Sequence, residues 1–252
     1  MDADSLHAQA QVLLDEGQLP AAESAVDSLL SAHPEHGPAW CLKGEIRRRR
    51  EDAEGCIKAL EAASIRMELP AEMQLRLAEC YAAAGRNDLA RWLMRDVPAK
   101  PDATDCVVLK TACALGRMGE NDEALELCRH VYDHAPDRHE AAFGIGYYMH
   151  RTGKEAAEVL PFLQTAYQLD SQNTMYRVSL ALCLDRLGRR DEAYRLASKV
   201  DVSRVEWPHC LTRLLEIYAG AGDQSRYLDC QARLRQLGDS TAGDKCGDPE
   251  RQ

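Results

Sequence analysis

Residues 105–136 read DCVVLKTACALGRMGENDEALELCRHVYDHAP. Before Gly119, Val108, Ala112 and Leu115 recur at intervals of four and three, which places them on one face of a helix. After it, Leu125, Cys128, Val131 and Tyr132 form a second stripe of the same period. Gly119 stands between the stripes, where a residue able to take the left-handed conformation ends a helix without steric cost. The stretch therefore predicts two short amphipathic helices joined by a tight turn. Neither can bury its stripe alone.

Outward from this stretch the glycine recurs. Gly85, Gly119, Gly153, Gly188 and Gly222 are separated by 34, 34, 35 and 34 residues, and Gly17 lies 68 before Gly85. Pro34 and Pro136 are 102 apart, three times the same step. A small residue follows the glycine at a fixed offset, as Ala22, Ala90, Ala124 and Ala193. A period of this length means helix pairs stacked so that neighbours bury each other.

The pattern resembles the tetratricopeptide repeat, a 34-residue helix–turn–helix. The best match starts at Asp105, with Val108, Ala112, Leu115, Gly119, Ala124 and Pro136 in the signature places. Other repeats start at Ala3 (Leu6, Ala10, Leu13, Gly17, Ala22, Pro34), Ala71 (Ala78, Tyr81, Gly85, Ala90), His139 (Ala142, Gly146, Met149, Gly153) and Thr174 (Ala181, Leu184, Gly188, Ala193). Two are degenerate. The repeat from Gly37 keeps Trp40 and Gly44 but has Arg47 in an apolar place and Glu51 in the place of the glycine. The repeat from Pro208 keeps Tyr218 and Gly222 but has Tyr227 for the small residue. The resemblance implies an all-α solenoid, a right-handed superhelix of about seven repeats over 3–237. Residues 238–252 (GDSTAGDKCGDPERQ) are expected to be a disordered tail.

Composition narrows the function. A net charge of −10 speaks against nucleic acid, whose phosphates call for a basic field. There is no run of 18 apolar residues to enter a membrane, and the first 20 residues are acidic, unlike a signal peptide. The ten cysteines include no CxxC pair, so free thiols in a reducing, cytoplasmic setting are expected. Cys56, Cys80, Cys128 and Cys183 fall on core places. No phosphate-loop, nucleophile-elbow or HExxH motif occurs, and GIGYYM (144–149) lacks the third glycine and the preceding strand of a dinucleotide loop. His130, His134 and His139 near Cys128 are read as turn histidines, and Arg47–Arg50 as a helix end balanced by Glu51, Asp52 and Glu54. No catalytic residue, metal or cofactor is expected.

In the family the first helix of each repeat lines a concave groove, through its second, fifth, sixth, ninth, twelfth and thirteenth residues. By that resemblance Cys106, Leu109, Cys113, Phe143, Tyr147, Met175, Val178 and Leu182 would form an apolar strip across three repeats. Arg49, Arg76, Lys110, Arg117, Arg151 and Arg186 would form a cationic rim able to hold carboxylates. The family's two-carboxylate clamp for acidic tails needs asparagines that Asn87, Asn121 and Asn173 do not supply. The expected function is non-catalytic: a scaffold or chaperone binding a peptide or amphipathic helix of another protein. The alternatives are a self-assembling homo-oligomer, a homodimer for example, or a regulatory subunit of an enzyme complex.

Overall fold

Every predicted repeat start is the first residue of a helix. In the computed structural model, which describes residues 2–241 and the side chains of residues 2–238, the first helices are α1 (Ala3–Asp15), α3 (Gly37–Arg49), α5 (Ala71–Ala83), α7 (Asp105–Arg117), α9 (His139–Arg151), α11 (Thr174–Arg186) and α13 (Pro208–Gly220). Each has 13 residues. The second helices are α2 (Leu19–Ala32), α4 (Ala53–Arg66), α6 (Asn87–Asp96), α8 (Asn121–His134), α10 (Ala156–Leu169), α12 (Arg190–Ala197) and α14 (Gln224–Thr241). Among the described residues there is no strand. The chain is an all-α repeat solenoid.

It divides into two compact units, residues 1–127 and 128–252, with the division inside α8. In the first unit, Ala10, Leu14, Ala22, Val26, Leu29, Ala39, Leu42 and Ile46 form one core cluster, and Cys56, Ile57, Leu60, Leu77, Cys80 and Ala90 another. In the second, α9 packs on α10, α10 on α11, and α13 on α14. In five of the seven repeats the small residue after the turn is fully buried: Ala22, Cys56, Ala90, Ala124 and Ala193 are all 0% exposed. The eighth residue of a repeat lies as close. A Cβ on Gly44 or Gly146 would meet Leu60 or Leu163 at 2.7 Å.

The turn glycines Gly17, Gly85, Gly119, Gly153, Gly188 and Gly222 all have φ between 72° and 88°. The degenerate second repeat keeps the same turn without the glycine, because Glu51 itself takes φ 60°. The backbone N–H groups of Glu51 and Asp52 close the turn on the carbonyls of Arg48 and Arg47, and ion pairs flank it. Glu23 accepts from Arg47 and Arg50, each at 2.7 Å, and Arg47 also reaches Asp52 at 3.2 Å. Left-handed backbone costs a non-glycine residue about 1–2 kcal/mol, offset in part by the entropy glycine loses on folding. Glu51→Gly is therefore expected to stabilise the protein by about 0.5–1 kcal/mol. Thermal unfolding followed by circular dichroism should show a Tm raised by about 2 °C.

Two second helices end early. α6 has 10 residues and α12 has 8, and each is followed by a 3-10 turn, at Val97–Ala99 and Val202–Arg204. Pro98 and Pro101 explain the first, since neither can continue a helical ladder. The buried amide of Gln74 pins the end of α6, donating to the Leu93 carbonyl at 3.0 Å and to Asp96 at 2.9 Å. Asp102 then accepts from the backbone N–H of Ala71 at 2.9 Å and caps α5, whose own flanking residue Pro70 offers no side-chain cap. The predicted tail starts too early. Gly238 lies within α14, which runs to Thr241, and a single glycine does not stop a helix of this length. Residues 242–252 lie outside the described residues.

Candidate functional site

Cys106, Leu109 and Cys113 belong to the first unit, and the other residues of the expected strip to the second. On the first unit the arginines and the lysine expected to form a cationic rim are all paired with glutamates. Glu45 on α3 accepts from Arg48 at 2.8 Å and from Arg49 at 3.0 Å, and pairs with Arg76 of α5 at 3.1 Å. Arg49 also donates to the Leu14 carbonyl at 2.9 Å. Glu72 holds Arg76 at 2.9 Å and Lys110 of α7 at 3.1 Å, and Glu79 holds Arg117 at 3.2 Å. Burial alone would raise the carboxyl of Glu45. The hydrogen bonds from Arg48 and Arg49, with the charges of Arg76 and Arg48, outweigh it and bring the group down to about 2. This face is an ion-pair ladder rather than an open cationic edge. The run Arg47–Arg50 is likewise committed to Glu23, Glu45 and Asp52.

The thiols sort as expected for core and surface. The nine described cysteines are free, with Cys106 and Cys113 exposed and Cys41, Cys56, Cys80, Cys128, Cys183, Cys210 and Cys230 buried. Burial pushes Cys41 and Cys230 up to about 11, so these thiols stay neutral. Arg117 donates to the Sγ of Cys113 at 3.5 Å. Among the described residues no group of three or more His, Cys, Asp or Glu is placed to hold a metal. His134 turns back to the His130 carbonyl at 2.8 Å, and His139 faces the Tyr176 hydroxyl at 2.9 Å.

The second unit carries an aromatic wall. Phe143 and Tyr147 lie one turn apart on α9 with ring centroids 6.1 Å apart and stacked, and Phe143 sits 4.6 Å from the ring of Tyr176 on α11. Tyr148 packs edge-on against Tyr147 at 5.1 Å. Phe143 is half-buried against Ala142, Ala166 and Tyr176, while Tyr147 is 40% exposed. Met175 and Leu182 of α11 are half-buried. Val178 is not part of any surface, being 0% exposed. The fifth residue of a repeat also goes inside at Cys41 and Leu75. Successive first helices pack on one another, as α5 on α7 and α11 on α13, where Leu75 and Val178 are buried, but Leu109 and Phe143 in the same place are half-buried and Thr212 is exposed. In the ninth place Cys113 and Tyr147 are exposed, and Leu182 is half-buried.

A family model described as tetratricopeptide repeat matches residues 7–63 and 109–174. A tetratricopeptide repeat protein from Parabacteroides merdae superposes with a TM-score of 0.68 at 12% identity, covering 94% of this chain and 93% of that one. This chain is a tetratricopeptide-repeat protein. The pilF protein of Pseudomonas aeruginosa is similar at a TM-score of 0.67 and 14% identity, over 84% of this chain and all of that one, 100%. YrrB, described as a TPR protein with an unusual peptide-binding site, is similar at 0.59 and 16%, over 69% of this chain and 90% of that one. At these identities the structural likeness speaks for the fold. No curated protein matches this chain.

The repeat family is a fold of protein–protein interaction modules, and its register explains what the sequence alone missed. Tyr176 and His139 occupy the third and first places of their repeats, outside the expected groove set, yet they back the wall. Burial raises the Tyr176 hydroxyl to about 12, so it remains protonated beside the His139 ring. Two aromatics at one end of successive first helices were the available signal. No described helix is long and apolar enough to cross a membrane.

Proposed function

We propose that the protein is a non-catalytic interaction module that binds a peptide or an amphipathic helix of a partner protein against the aromatic wall of its second unit. The observation that carries this reading is Tyr147, an exposed tyrosine stacked on a phenylalanine that is itself seated on Tyr176. Such a tyrosine is held by what lies behind it, so it loses little further freedom when a partner packs against it, which suits a binding anchor. Met175 and Leu182 extend the apolar surface along α11 for alternate side chains of the guest. The peptide-binding site described for YrrB supports a peptide as guest. The nine free thiols among the described cysteines support a reducing, cytoplasmic setting.

The test is selection of a phage-displayed random dodecapeptide library on the immobilised full chain, followed by fluorescence anisotropy with the winning peptides. Phe143→Ala combined with Tyr147→Ala is expected to weaken those peptides by about thirtyfold or more, the scale of an interface anchor. Undiminished binding by the folded double variant would move the site elsewhere.

A further inference from the structure

The thirteenth residue of the repeat is an arginine in four repeats, and its partner changes along the chain. Arg117 takes Glu79, the ninth residue of the repeat before it, at 3.2 Å. At Arg186 the corresponding ninth residue is Tyr147, which has no charge to offer. The guanidinium of Arg186 lies instead against an imidazole, its Nη1 2.8 Å and 2.9 Å from the two ring nitrogens of His150. The neighbouring acid is already engaged, since Asp185 faces Arg213 at 3.4 Å. Arg186 is exposed, in a protein whose net charge is −10 and whose other rim cations on the first unit are met by glutamates.

We infer that the guest of the aromatic wall carries a carboxylate, and that Arg186 holds it. This rests on the wall being the binding surface. Arg186 and Leu182 are four residues apart on α11 and so share a face, about 6 Å from one to the other. The guest is therefore a peptide segment that carries an aromatic or long aliphatic side chain and an aspartate or glutamate about one helical turn apart. The carboxylate completes the pair that Glu79 makes for Arg117 in an earlier repeat. A guanidinium can take a carboxylate through two parallel N–H donors, which gives the contact direction as well as strength. The asparagine-and-lysine clamp used for acidic tails plays no part, since the contact is one arginine at the end of an apolar surface.

The test uses the same dodecapeptide selection on the full chain. Winning peptides are expected to share an acidic residue at a fixed distance from their apolar anchor. Each is then compared with its own amide counterpart, Glu replaced by Gln or Asp by Asn. Wild-type protein should bind the acidic form about tenfold more tightly, the scale of one hydrogen bond to a charged group. Arg186→Gln should bind both forms alike, at the affinity wild type shows for the amide, and Arg186→Lys should keep part of the preference. Circular dichroism of both variants confirms that the exposed substitutions leave the fold in place. An acid preference that is absent in wild type, or that survives in Arg186→Gln, overturns the carboxylate contact and leaves the wall standing. A selection that returns no peptide dependent on Phe143 and Tyr147 removes the wall, and the contact with it.

Discussion

Leu115→Ala is expected to destabilise the protein by about 3–5 kcal/mol, the usual cost of emptying a fully enclosed leucine site. Leu115 is 1% exposed on α7, at the last large apolar place before the turn. Its carbonyl also receives the backbone N–H groups of Met118 and Glu120 that close the helix. The cavity would therefore open beside the turn, where the backbone is fixed by these bonds and has little room to collapse. Urea unfolding should show a lower midpoint with an unchanged slope, and Tm should fall by about 10 °C. Phe143→Ala with Tyr147→Ala is expected to cost clearly less, since Phe143 is half-buried and Tyr147 is 40% exposed. The pairing of the two variants separates roles. The leucine variant should lose stability and, in its folded fraction, keep peptide binding. The aromatic variant should do the reverse. If the aromatic pair unfolds the chain as badly as the leucine does, Phe143 and Tyr147 are core and not a wall.

The second large effect concerns Glu45. Its side chain is 12% exposed and faces Arg48, Arg49 and Arg76. The carboxyl titrates near 4.5 in the unfolded chain and at about 2 in the folded one. A depressed carboxyl contributes stability that is fully present above 4.5 and is lost as pH falls from there through 2. The contribution is about 3 kcal/mol. Glu45→Gln should therefore lower the unfolding free energy at neutral pH by about that amount, because three guanidiniums are left without their shared anion. The gap between wild type and variant in urea midpoints should be constant above pH 5.5, roughly one unit over the unfolded pKa. It should narrow through the acid range and close near pH 2. A gap that stays constant with pH would mean that the ladder is screened surface charge rather than a partly buried network.

The fold was legible because one physical requirement repeats. A helix–turn–helix needs a left-handed residue at a fixed place and a small residue at the following contact, and both leave a mark in the residue type. Gly119 and Ala124 could be recognised from type alone. Glu51 could not, because a glutamate gives no sign of its left-handed backbone, and the Glu23 that pairs with the flanking Arg47 and Arg50 stands 28 residues earlier. The candidate site was legible only in part, for the same reason. The fifth place of a first helix is buried at Leu75 and Val178, half-buried at Leu109 and Phe143 and exposed at Thr212, so the place in one repeat does not say that Val178 lies inside. The rim arginines were recognisable as arginines, but their glutamates stand up to 38 residues away, as with Arg117 and Glu79. Pairing across repeats is invisible to a pattern that describes one repeat at a time.

Repeat three meets the ends of its two helices from within itself. Gln74, Leu93, Asp96 and Asp102 all lie between its first residue, Ala71, and the start of α7, so the pin on α6 and the cap on α5 are both internal. In an array whose stability is a sum of repeat and interface contributions, these three bonds count for the repeat, while Arg76 with Glu45, Lys110 with Glu72 and Arg117 with Glu79 count for its two interfaces. The pin and the cap travel with the repeat. Copied by duplication, or moved within the array by recombination, it would bring these bonds along, whereas repeat two would leave behind the Glu23 that pairs with the arginines flanking its turn.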